Sequence, residues 1–434
     1  MIAPLPVPTR IQSLDVTRGV AVMGIFSVNV VGMAMIQQAY FYPPAFGFET
    51  LADRLMWLGN FLLIDGKLRA LFSIMFGASL MLVIERAVAA GRSGWRTHVA
   101  RMIVLMGFGL LHWAMLWWGD ILTHYAAVGL LAALFARVKA RPLFVIAAAG
   151  LVVHAGLSAF FEGRGIVEYE QMVDRIDAGT ATPKMIAEVK EARQSDAPAA
   201  AIAKDKAAHR DIASHFAWAK QQGIAAPFDL GPLWLETLPL MLLGMAGFKG
   251  GFLTGQWQRR RYRKVAVVAI GVSLVAYAAL AALVLAKDFL APYFFAVNFG
   301  FAPLFRPIAA MGYAALIILL ATPGGALTTR FAAVGRTAFS NYLGCTFIGT
   351  LLFFGFAGNL YATLSRFEAW LFVVPVWALM LLWSKWWLER FNYGPFEWAW
   401  RSLARWQLQP LRRVPPPGQG GVGGGSNLSS ETAE

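Results

Sequence analysis

Runs of about twenty apolar residues, separated by short polar stretches, recur along most of the chain. A hydrocarbon core about 30 Å thick is crossed by roughly 20 residues of helix. Ten segments meet that requirement: 16–36, 67–87, 99–117, 121–136, 142–161, 233–253, 265–286, 303–321, 337–356 and 367–384. They predict an all-α, polytopic helical bundle. The fourth is short. A further stretch, LADRLMWLGNFLLIDG (51–66), carries Asp53, Arg54 and Asp65 and reads as an interfacial or half-inserted helix. Residues 162–232 break the pattern. They are polar, of mixed charge and helix-forming, as in EYEQMVDRIDAG and KMIAEVKEARQSD, and predict a small helical cap outside the bilayer. The expected organisation is a bundle over 1–161, the polar loop 162–232, a second bundle over 233–405 and a tail from 406. The tail's PPPGQGGVGGGSNLSSETAE (415–434) has no core-forming pattern and is expected to be disordered.

Composition agrees. The 434 residues are 58% hydrophobic and 14% charged, against roughly 25% charged in soluble domains. The net charge of +14 raises the question of a nucleic-acid partner. The basic positions argue against one, because they fall in alternate connections: Arg86, Arg92, Arg96 and Arg101; Arg137, Lys139 and Arg141; Arg259 to Lys264; Arg330 and Arg336; then Lys385, Arg390, Arg401, Arg405, Arg412 and Arg413. Under the positive-inside rule these connections are cytoplasmic, and so are both termini. Long loops cross regardless of charge, so 162–232 is expected on the outside. The N-terminal stretch enters its apolar run without an A-x-A-like site, so the run is expected to stay as the first span. The single cysteine, Cys345, excludes an intramolecular disulfide.

Chemistry concentrates in GLLHWAMLWWGDILTHYAAVG (109–129), where His112, Asp120, His124 and Tyr125 interrupt apolar sequence. Spans three and four turn around Gly119, which sets His112 and Tyr125 at similar depth, with His112 about 10 Å below the outer mouth. Ionisable groups at membrane depth face the bundle interior or a wet cavity. Lys67 and Arg69 open the second span on the same side, near Asp65. Histidine is the residue type suited to a base at neutral pH, and a carboxylate such as Asp120 suits orienting the ring of His112. The plainer reading is that the histidines bond between helices and that Asp120 caps the helix it precedes. A metal site is not expected, since no H-x-x-x-H pair occurs.

A second polar set lies towards the cytoplasmic side. Asp15 and Arg18 stand at i,i+3 and can pair; Asn29 is deeper. Arg336, Ser340, Asn341 and Tyr342 open the ninth span. Glu397 and Arg401, at i,i+4, lie in a tryptophan-rich stretch that reads as an interfacial helix. A basic, aromatic inner surface suits an anionic phosphorylated ligand such as acyl-CoA, and equally lipid phosphates.

Six blocks in order carry a family resemblance: SLDVTRGVAVMGIFSVNV, GKLRALFSIMFGAS, GLLHWAMLWWGDILTHYA, ETLPLMLLGMAGFKGG, GRTAFSNYL and FNYGPFEWAWRSL. They resemble the YeiB family of bacterial inner-membrane proteins, in the wider transmembrane acyltransferase superfamily that includes the heparan-α-glucosaminide N-acetyltransferases. The resemblance implies an inner-membrane acyltransferase. A cytoplasmic acyl-CoA, such as acetyl-CoA, would be the donor, and an extracytoplasmic sugar or similar molecule the acceptor. It implies catalysis by His112, Asp120, Tyr125, Lys67 and Arg69. Donor binding would fall to Asp15, Arg18, Asn29, Arg336, Asn341, Tyr342, Glu397 and Arg401. The resemblance implies glutamine where Cys345 stands, a departure that bears on the substrate if that side chain contacts it. A transporter or proton-coupled permease, and a lipid- or cofactor-binding membrane protein without catalysis, are the alternatives. Expected partners are membrane lipids and small-molecule donor and acceptor. The apolar surface leaves a homo-oligomer open.

Overall fold

A computed structural model describes residues 11–228, 231, 233–355 and 357–413. The described residues form helices and no sheet. The first bundle contains α1 (Gln12–Ala34), the short α2 (Gln37–Phe41), α3 (Leu51–Leu63), α4 (Lys67–Ala89), α5 (Gly94–Met115) and α6 (Leu122–Ala133). The long α7 (Ala140–Asp177) leads into the cap, made of α8 (Pro183–Arg193), α9 (Ala199–Ala208) and α10 (Ile212–Gln222). The second bundle has α11 (Leu233–Lys249), α12 (Arg259–Ala286), α13 (Ala291–Phe295), α14 (Arg306–Leu320), α15 (Ala326–Arg336) and α16 (Ala338–Phe353). It closes with α17 (Arg366–Leu371), α18 (Val373–Arg390) and α19 (Pro395–Arg405).

Each of the ten expected segments falls on a helix, but they are not ten equal spans. Among the described residues, six stretches are long and apolar enough to cross a membrane, and a seventh is a pair bent by 54°. The chain is therefore a multi-pass membrane protein by length and composition. Helices α6 and α16 are shorter than a full crossing. The stretch expected as half-inserted, α3, continues into α4 as one apolar run, Leu51–Ala89, with Gly66 at φ +69° between them. Segment 303–321 is not a simple span. It is α14 preceded by a π turn (Ala296–Phe301) and a 3-10 turn (Ala302–Leu304). The fifth segment does not stop at 161, because α7 runs unbroken for 38 residues, about 57 Å at 1.5 Å per residue. From residue 414 the expected tail lies outside the described residues. Its first part does not dangle, because Arg412 bridges antiparallel to Phe391.

The helices sort by what they face. The apolar core of α1 is 78% buried, against 22% for α7 and 28% for α12. Val145 and Val152 on α7, and Val267 and Val275 on α12, are exposed, as lipid-facing residues are where the solvent is hydrocarbon. Two crossings bring backbones into contact at glycines. Gly19 meets Phe331 and Gly335 meets Asp15 where α1 crosses α15; Gly77 meets Met241 and Gly244 meets Ile74 where α4 crosses α11. At each a Cβ would overlap a backbone carbonyl. Without a hydrophobic drive between helices in lipid, such close approach supplies much of the packing energy.

These crossings generate a prediction. Gly244→Leu should destabilise the protein by about 1–3 kcal/mol, the usual cost of overpacking, and lower its unfolding temperature in detergent. Gly107→Ala, where nothing lies near the added carbon, should leave that temperature unchanged.

Candidate functional site

Helix α5 ends at Met115 and the chain turns before α6 begins at Leu122, which puts Asp120 beside the last turn of α5. His112 Nδ1 lies 2.8 Å from Asp120 Oδ1. Asp120 Oδ2 accepts from the Thr123 amide at 2.9 Å. The aspartate thus holds the histidine and caps α6 together. An ionised carboxylate only accepts, so Nδ1 carries the proton and Nε2 is left as acceptor. Nε2 faces the Thr346 hydroxyl of α16 at 3.0 Å. The Tyr342 ring, one turn away on α16, packs on the imidazole with centroids 5.4 Å apart. Asp120, His112 and Thr346 form a relay in which each group is at most 3% exposed.

Two large cavities approach this relay from opposite ends of the bundle. One, of about 290 Å³, opens among Arg18, Arg86, Arg92, Arg101, Arg336, Arg401 and Arg405. Among the described residues, two carboxylates, Asp15 and Glu397, share its wall. Both are engaged: Asp15 pairs with Arg18 at 3.2 Å, and Glu397 accepts from the Phe339 and Ser340 amides at 2.7 and 3.1 Å. Burial pushes the Glu397 carboxyl above its ordinary range, and burial lowers the Arg401 guanidinium. Deeper in, the wall is apolar, with Phe72, Phe76, Met102 and Leu105, and it ends at Ile121, Tyr125 and Tyr342. The other cavity, of about 790 Å³, lies at the cap end, against the opposite ends of α1, α4 and α5. Asp120 and Ile121 line it, and Trp218 and Gln222 of α10 close over it. The cap is held there by His215, whose Nε2 meets the Trp113 carbonyl at 3.0 Å, and by Asp205, which accepts from the Gln37 amide at 2.6 Å.

These contacts place the remaining expected site residues. Tyr125 is not a partner of His112; it bonds Ser73 of α4 at 2.6 Å and lines the arginine-rich cavity. Lys67 is turned away from the cap-end chamber. Its ammonium donates to the Phe61 carbonyl at 2.6 Å, closing the end of α3, and sits over the Tyr277 ring. Arg69 does line the chamber, paired with Glu236. Arg18 lines the other cavity and also donates to Ser79 at 2.8 Å. Arg336 and Tyr342 line it too. Asn29 and Asn341 line neither cavity. Asn341 is consumed by Thr337, Val334, Ser384 and Trp383. The expected Glu397–Arg401 pair is replaced: Glu397 caps α16, and Arg401 lies over the Tyr393 ring at 4.7 Å. Cys345 is buried and lines neither cavity. His124 bonds Thr237 at 2.9 Å, an interhelical role.

A family model described as "Protein of unknown function (DUF418)" matches residues 247–407. The chain is 30% identical to "Uncharacterized protein YeiB" of Escherichia coli (strain K12), over 91% of this chain and 96% of that protein. It is 26% identical to "Uncharacterized protein YxaH" of Bacillus subtilis (strain 168), over 93% of this chain and 96% of that one. The chain belongs to the YeiB-like family. In this YeiB-like protein the matched domain supplies Thr346, Tyr342, Arg336, Arg401 and Arg405, while His112, Asp120 and Arg101 come from the N-terminal bundle. Both halves therefore build the site. Sequence reasoning missed Thr346, Glu236, Arg306 and His154. Thr346 sits in GCTF with no local mark, and the others become neighbours only through packing. Only the rarity of a glutamate or histidine inside an apolar run could have flagged Glu236 and His154.

The capping role of Glu397 is testable. Glu397→Ala leaves the α16 amides unsatisfied and should cost about 1–3 kcal/mol, read as a lower unfolding temperature. Asn29→Ala should change stability by no more than roughly 0.5 kcal/mol.

Proposed function

We propose that the protein transfers an acyl group between the two sides of the membrane, from a phosphorylated thioester of the acyl-CoA class to a hydroxyl-bearing acceptor. One observation carries the reading: two cavities from opposite ends of the bundle both reach Ile121, beside the His112–Asp120–Thr346 relay. The first cavity has seven arginines against two engaged carboxylates, a charge excess that suits a polyphosphate. Its apolar depth suits an acyl arm. By the positive-inside rule this end faces the cytoplasm, where acyl-CoA is found.

The chemistry follows from the relay. The acceptor hydroxyl takes the place at His112 Nε2 that the Thr346 hydroxyl holds. Nε2 removes its proton as the oxygen attacks the thioester carbonyl. Asp120 stabilises the imidazolium that results. The carbon–sulfur bond breaks, and the imidazolium returns the proton to the leaving thiolate. An ester and a free thiol are the products. Arg18 and Arg101 hold the donor without entering the bond changes.

The test is transfer from radiolabelled acetyl-CoA in proteoliposomes. His112→Ala and Asp120→Asn should each lower the rate by roughly 10²–10⁴-fold. Arg401→Ala should chiefly raise KM for the donor. Labelling that persists in His112→Ala would remove the histidine from the reaction, and solute flux that needs no CoA would point to transport instead.

A further inference from the structure

The cap-end chamber holds polar atoms that packing leaves unused. His154 on α7 is 5% exposed, and neither ring nitrogen has a partner among the described residues. Glu236 on α11 is 1% exposed. Its Oε2 accepts from Arg69 and Arg306, while Oε1 is unbonded. Arg69 Nη1, Arg306 Nε and Arg366 Nε are likewise unbonded. All of these side chains line the same chamber. Buried groups of this kind are normally satisfied, so together they mark a place for a ligand.

The free atoms specify its chemistry. An unbonded carboxylate oxygen near an unbonded guanidinium N–H suits a hydroxyl, which donates to one and accepts from the other. The walls offer an anion no excess of arginines. Three arginines, Arg69, Arg306 and Arg366, are outnumbered by four carboxylates, Asp65, Asp120, Glu162 and Glu236.

The rim specifies the rest. Leu157, Phe161, Leu235 and Phe299 line the chamber and are also 43%, 65%, 52% and 38% exposed. Leu157 and Phe161 lie 17 and 21 residues beyond the start of α7 at Ala140, about 26–32 Å along it. That is the far edge of a hydrocarbon core about 30 Å thick. An apolar rim at this depth opens sideways onto lipid tails.

We propose that the chamber binds a membrane lipid with an uncharged, hydroxyl-bearing head. The head lies against Glu236, Arg69 and His154, and the chains leave past Leu157 and Phe161. This binding stands apart from acyl transfer; under the transfer reading, the lipid is the acceptor.

The experiment is native mass spectrometry of the full chain in an amine-oxide detergent. It is titrated with glucosyl-diacylglycerol, phosphatidylcholine and phosphatidic acid of matched chains. The glucosyl lipid should be retained at concentrations at least roughly tenfold lower than the other two. His154→Leu removes an imidazole that bonds nothing. It should keep the parent's unfolding temperature and weaken retention of the glucosyl lipid by roughly tenfold. Glu236→Gln should weaken it at least as much; if that variant does not fold, His154→Leu decides. Equal or tighter binding of phosphatidic acid would overturn the proposal. So would undiminished retention of the glucosyl lipid by His154→Leu. CoA binding, measured on the same samples, tests the transfer reading separately and should be the same in both variants.

Discussion

A carboxylate inside an apolar bundle has to be met by donors, and that requirement ties the helices of this protein together. Four acids are buried among the described residues: Asp53, Asp120, Glu236 and Glu397. Each links separate elements. Asp53 of α3 receives the Phe367 amide of α17 at 2.8 Å. Asp120 joins α5 to α6 through His112 and Thr123. Glu236 of α11 draws in Arg69 of α4 and Arg306 of α14. Glu397 of α19 caps α16. Buried pairs are weak evidence of net stability, because desolvation offsets their attraction. Their effect is on geometry: removing one partner leaves an uncompensated charge, so alternative registers are costly.

The same wiring separates polar groups that neighbours satisfy from those that keep free atoms. Glu397 and Asn341 are saturated by neighbours and act as braces. The relay is saturated too, and its last member is the Thr346 hydroxyl at His112 Nε2. At the cap-end chamber the wiring is incomplete, and Glu236, Arg69 and His154 keep atoms free. At the opposite end the imbalance is of charge, with arginines gathered around a cavity whose two carboxylates are already engaged. The two ends thus offer different chemistry: one suits polyanions, the other neutral hydroxyl groups.

Much of this was legible in the chain. The apolar runs of 16–36, 67–87 and 265–286 became α1, α4 and α12, because length and hydropathy alone decide whether a helix can sit in hydrocarbon. The sequence left Asp120 open between capping its helix and pairing with His112, and in the structure it does both. Lys67 and Arg69 looked alike in sequence and parted in space: one closes α3 over the Tyr277 ring, the other enters the chamber. The i,i+4 spacing of Glu397 and Arg401 allowed a pair, but the exposed amides of α16 offered the glutamate better donors.

What the sequence by itself determined is the class of the molecule: an all-helical membrane protein with basic connections and a polar cap. It also set Asp120 close enough along the chain to cap its helix or to meet His112. These depend on composition and on residues within a few turns of one another. Only the tertiary structure decided which polar side chains meet. Thr346 stands 234 positions from His112 and Glu236 stands 167 from Arg69. Contacts at that separation are set by how helices cross, and the crossings depend on glycines whose role shows only once a second backbone lies against them.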